Sequence, residues 1–198
     1  YNWVTLREQG KLRNPLNPPL RKGEVKESGS VPINYFAYGS NLAVARIEER
    51  VGPVVVVASG RLDGHALRFH KAGRDGSGKA NAFATGNPED LVYGVVYEMS
   101  IEAKRQLDRC EGLGTDYLEK DVTIATAAGD VAATLYHAHP SRIDPSASPF
   151  DWYLALVLDR ARRHGFPESY IERIAAHPAR VDTDRVRAEH ARRLLANG

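Results

Sequence analysis

One cysteine, Cys110, stands in a chain of 198 residues. No disulfide can form within the molecule, and this usage fits a reducing compartment. No apolar run approaches the roughly 18 residues that a membrane helix needs. The first residues also lack an apolar signal core followed by a cleavage site. Cytoplasm is the expected location, with no membrane partner. Charge of one sign is missing too: 27 Lys and Arg stand against 25 Asp and Glu. The small basic excess lies toward the two ends, and the middle of the chain is net acidic. A nucleic-acid binder concentrates positive charge around its site, so nucleic acid is not an expected partner. The C-terminal arginines alternate with Asp and Glu and read as solvated helix faces. Aromatics are scarce at 8%, yet nine of them are tyrosines.

The length suits one large domain with a real core. Residues 1–30 hold RNPLNPPLRKGEVKESGS, rich in proline and charge without hydrophobic periodicity. They read as a flexible leader that no core requires, with the folded domain over 31–198. Strands are expected at 33–38, across VVVVASG and RLDGHALRFH with bends at Gly60 and Gly64, near 82–85, and at 91–99. A helix follows from a Ser100 cap to a Gly112 stop. A hairpin turns about 127–130, and helices close the chain at 150–164, 167–176 and 182–196, the last capped by Asp182 or Thr183. Strands first and helices last predict an α+β fold.

Some motifs point nowhere. GRDGSGKA (73–80) fits a phosphate-loop pattern, but Ala80 stands where Mg²⁺ needs Ser or Thr, and no helix can begin there. It reads as a glycine-rich hairpin loop. His137 and His139 share one strand face, but no third ligand is signalled, so no metal is expected. Cys110 has no neighbouring base and reads as a half-buried structural thiol. Glu111 is more telling. A carboxylate at a helix C-terminus opposes the dipole, and one partly removed from water in a pocket makes a serviceable general base.

INYFAYGSNLAVARIEERVG (33–52) breaks an apolar run at Tyr38-Gly39-Ser40-Asn41 and continues in helix formers. Turn chemistry accounts for Gly39 and Asn41, which tolerate positive φ. It does not account for aromatics at 35, 36 and 38 beside three small polar residues. That combination suits a pocket floor whose backbone N–H groups face a bound anion or carbonyl.

YFAYGSNL (Tyr35–Leu42), VYGVVYEM (92–99) and LDRCEG (107–112) together resemble the γ-glutamylcyclotransferase family. The similarity runs in order from about 33 to 170, and DGSGKAN (75–81) is similar to a loop of bacterial-type members. Ser40-Asn41-Leu42 departs from the YGT-lysine pattern of the γ-glutamylamine branch. The resemblance implies a compact mixed or antiparallel β-barrel-like sheet flanked by helices. It implies cyclisation of a small-molecule γ-glutamyl substrate, with Glu111 as the catalytic carboxylate. Tyr35, Phe36, Ala37, Tyr38, Gly39, Ser40, Asn41, Tyr136 and Tyr153 would bind that substrate. No cofactor and no metal is implied, and a homodimer is left open. The competing class is a non-catalytic binding or interaction protein on the same scaffold. The presence of Glu111 favours the enzyme.

Overall fold

The computed structural model describes residues 31–196; the leader expected over 1–30 lies outside them. The elements run β1 (Ile33–Ala37), α1 (Val44–Val51), β2 (Val55–Asp63), β3 (His65–Ala72), β4 (Gly78–Ala84), β5 (Leu91–Met99) and α2 (Ile101–Glu111). They continue with β6 (Tyr117–Thr126), β7 (Gly129–Ala138), α3 (Asp151–Arg163), α4 (Glu168–Ala175) and α5 (Arg185–Ala196). No helix among the described residues is long and apolar enough to cross a membrane.

Five strands close a barrel in the order β1-β5-β2-β6-β7. Its seam is a parallel contact between β1 and β7 at Tyr35 and Thr134, and every other pairing in it is antiparallel. The ribbon β3–β4 stands apart as a two-stranded sheet. This is the barrel-like α+β architecture that the motifs imply. Strand β5 lies between β1 and β2, and its Val92, Val95, Val96 and Tyr97 are fully buried. Consecutive burial means both faces are covered, which is why LVYGVVYEM reads as a continuous apolar run and not as an alternation.

Three local expectations need correction. β2 does not bend at Gly60; it runs through it, and the chain turns at Gly64, where φ is +71°. β4 begins at Gly78, earlier than expected, because the loop before it is very short. The Asp75 carboxylate accepts from the Ser77 N–H and hydroxyl, and the Gly73 N–H donates to the Ser77 carbonyl at 2.7 Å. Lys79 therefore sits in a strand, paired in register with Lys71. Helix α5 is capped by Asp184, whose Oδ1 accepts from the N–H groups of Val186 and Arg187 at 3.1 Å each. Asp182 is engaged elsewhere: it is buried, bound by two nitrogens of Arg187 and by the indole N–H of Trp152.

Candidate active site

Helix α2 delivers the carboxylate that the site is built around. The Ser100 hydroxyl accepts from the Ala103 N–H at 3.1 Å and starts the helix. Gly112 ends it in the left-handed region at φ +65°, with the Leu113 N–H closing back on the Asp108 carbonyl at 2.9 Å. Glu111 is thus the last helical residue, and its side chain lines a cavity of about 320 Å³. That volume is at the small end of ligand pockets.

More of the wall comes from the end of β1 and the loop after it. Tyr35, Tyr38, Gly39, Ser40 and Asn41 line the same cavity, as do Tyr136 of β7 and Tyr153 of α3. Asn41 ties wall to carboxylate. Its Nδ2 donates to the Tyr35 hydroxyl at 3.0 Å and to Glu111 Oε1 at 3.1 Å, and its Oδ1 accepts from Arg50 at 3.3 Å. Arg50 also donates to Glu111 Oε1 at 2.7 Å. Both bonds to the carboxylate fall on Oε1 and leave Oε2 out of them.

The loop itself is braced from behind. The Leu42 carbonyl accepts from the Tyr97 hydroxyl at 3.1 Å and lies 3.0 Å from a ring nitrogen of His164. The Leu42 and Ala43 N–H groups close onto Gly39 and Ser40. Among the described residues, the N–H groups of Gly39, Ser40 and Asn41 donate to nothing. Three unengaged donors in succession at a cavity wall form a ready cradle for negative charge.

The tyrosines are held hydroxyls. Tyr38 donates to the Tyr136 carbonyl, Tyr136 donates to Asp108 at 2.6 Å, and Tyr153 accepts from the Ala80 N–H at 3.2 Å. Burial pushes all three hydroxyls up, with Tyr35 and Tyr117, so they stay protonated.

Two predicted residues do not reach the cavity. Phe36 and Ala37 are fully buried and absent from its lining. Strand alternation turns Phe36 away from Tyr35, and its ring packs against Gly94 of β5. Gly39 needs revision of a different kind. Its φ is −116°, not positive. What the position requires is space: a Cβ there would lie 2.9 Å from the Ala80 Cβ and 3.4 Å from the Tyr153 hydroxyl. Cys110 is exposed at the rim, not half-buried. His139 lies beyond β7, where its ring accepts from the Ser141 N–H. Among the described residues no group of three or more His, Cys, Asp or Glu is placed to hold a metal.

The cavity also gathers charges that sequence reasoning missed. Lys79, part of the glycine-rich decoy, pairs with Asp75 at 2.8 Å. Asp116 is buried and accepts from Lys71 at 3.1 Å and Arg74 at 2.7 Å, and lies 3.2 Å from Arg142 Nε. Burial pushes that carboxyl up, but the bonds from Lys71 and Arg74 outweigh it and hold it below the usual carboxylate range. Arg46 and Arg50 stand one turn apart on α1, both facing the cavity. Their i, i+4 spacing was visible in ARIEER, the one signal that pointed to them.

A family model described as AIG2-like matches residues 91–174, which hold β5, α2 and Glu111. A gamma-glutamylcyclotransferase of Homo sapiens is 30% identical over 146 residues, covering 72% of this chain and 77% of that protein. The Bos taurus gamma-glutamylcyclotransferase is likewise 30% identical, over 71% and 76%. A solved structure titled gamma-glutamyl cyclotransferase superposes with a TM-score of 0.74 at 28% identity, covering 84% of this chain and 99% of that one. The chain belongs to the γ-glutamylcyclotransferase family.

Proposed function

We propose that this chain is a γ-glutamylcyclotransferase that closes the γ-glutamyl part of an amide or dipeptide into 5-oxoproline and frees an amine or amino acid. One observation carries the reading. The Glu111 carboxylate is clamped by Arg50 and Asn41 in a small cavity that the unengaged N–H groups of Gly39–Asn41 also line.

The reaction needs no external nucleophile. The substrate's α-amine attacks its own γ-carbonyl carbon, forming the lactam C–N bond, and the bond to the departing nitrogen then breaks. An ammonium cannot attack, so Glu111 takes a proton from it. Two protons leave the attacking nitrogen in all, and two reach the leaving amine. One positioned carboxylate serves both directions. The unengaged N–H groups answer charge that develops on the γ-oxygen. The buried tyrosines fold an extended side chain toward ring geometry, which is orientation work. As written, the chemistry requires neither metal nor cofactor. A cytoplasmic setting suits the exposed Cys110 thiol.

Incubation with a panel of γ-glutamyl dipeptides, glutathione and γ-glutamylamines tests the reading. 5-Oxoproline is expected from at least one of them; none from any would sink it.

Gly39→Ala examines the loop. The added Cβ must push the loop away from Ala80 and Tyr153, an overpacking cost of about 1–3 kcal/mol. Displacement of the N–H groups by about an ångström is expected to lower kcat/KM by about 100-fold. Tm should fall by roughly 2–12 °C. Both are measured on one preparation, and a destabilised but fully active variant would show that the loop is merely a turn.

A further inference from the structure

Arg50, one turn along α1, is engaged by Glu111 and Asn41. Arg46 is not clamped in this way. Its Nε is shut away from solvent without a hydrogen-bond partner, and among the described residues its guanidinium makes no ion pair. The acidic side chains lining the cavity hydrogen-bond to other groups. Asp75 is taken by Lys79 and Ser77, Asp116 by Lys71 and Arg74, and Glu111 by Arg50. An arginine keeps its charge, and holding its Nε–H away from water without a partner is costly. A bound anion removes that cost.

We infer that Arg46 anchors the α-carboxylate of the γ-glutamyl group. This rests on the cyclisation proposed above. The substrate's amine and carboxylate share one carbon, so the carboxylate must bind within a few ångströms of the amine that Glu111 deprotonates. Arg50 marks the position of Glu111, and residues four apart on a helix stand about 5–6 Å from each other. Arg46 therefore lies one step from the base, lining the same cavity as the loop and Tyr153. The assignment also divides the labour of the site. Arg46 takes the standing charge of the carboxylate, and the N–H groups of Gly39–Asn41 are left for the charge that develops on the γ-oxygen.

5-Oxoproline carries the carboxylate and no leaving group, which makes it the probe. Millimolar 5-oxoproline is expected to raise the Tm of the parent, not of Arg46→Gln, and partly that of Arg46→Lys. Without ligand, Arg46→Gln should melt at or above the parent, because an unsatisfied buried N–H has gone. A clear loss of Tm would mean that Arg46 is structural. In kinetics, Arg46→Gln is expected to lower kcat/KM about 10–100-fold, equally for γ-glutamyl-alanine and γ-glutamyl-methylamide. A loss confined to γ-glutamyl-alanine would assign Arg46 to the leaving group's carboxylate and overturn the inference. So would a parent that 5-oxoproline does not stabilise, or parent-like binding by Arg46→Gln. A parent that binds 5-oxoproline through Arg46 but cyclises neither substrate upholds the anchor and overturns the cyclisation reading.

Discussion

Replacing Glu111 with Gln is expected to slow cyclisation about 10²–10⁴-fold, the usual contribution of a positioned proton-transfer group. The fold should survive. A glutamine Oε1 can still accept from Arg50 and Asn41, which hold the wild-type oxygen at 2.7 and 3.1 Å. Shape and hydrogen bonding are kept, and basicity alone is lost. Substrate binding should change little, so the effect falls on kcat. The other carboxylates lining the cavity make poor substitutes, since Asp75 and Asp116 are each held by a lysine. Glu98, on β5, lies outside the lining. Parental turnover by purified Glu111→Gln would remove the assignment.

Asp182→Ala is expected to be the most damaging change to stability away from the cavity. The Asp182 side chain is fully buried, and it binds Arg187 at 2.6 and 2.7 Å and the Trp152 indole at 2.8 Å. Removal leaves an indole N–H and a guanidinium without their acceptor. Breaking a buried pair costs about 3–5 kcal/mol. The lower end applies, because Arg187 is one-third exposed and can turn to water. About 3 kcal/mol corresponds to a Tm loss of roughly 6–12 °C for a chain of this size. The bonds from Arg187 hold the Asp182 carboxyl well below its ordinary value against the opposing effect of burial. A depressed folded value stabilises above the unfolded carboxyl's pKa of about 3.9 and is lost as pH falls below it. The Tm gap between parent and variant should thus be full at neutral pH and narrow below about pH 4. Thermal melts across that range check both size and direction.

The same residue shows where the sequence stopped being legible. Asp182 looks like a helix cap because capping is judged from neighbours along the chain. One of its partners, Trp152, is 30 residues away. Helix α2 was legible because its start and stop are local, a Ser100 hydroxyl and a Gly112 turn. The barrel seam between β1 and β7 joins residues 35 and 134 and leaves no local trace. The site divides in the same way. The family motifs marked Glu111, Tyr35, Tyr38 and Asn41, and these do meet around one cavity. The motif also swept in Phe36 and Ala37, which β1 turns into the core. Asp116, Lys71 and Tyr117 come from separate strands and loops and share no motif. Arg46 and Arg50 stood in plain view, but their common face acquires meaning only when α1 lies against the end of α2.

The central claim is that an amine within the substrate, not water, attacks the γ-carbonyl. Reaction of γ-glutamyl-alanine in H₂¹⁸O separates the two by mass spectrometry. The account predicts 5-oxoproline and alanine in equal amounts, with no ¹⁸O in either and no free glutamate. Glutamate carrying one ¹⁸O would mean that the cavity admits water to the carbonyl and that the chain is a hydrolase.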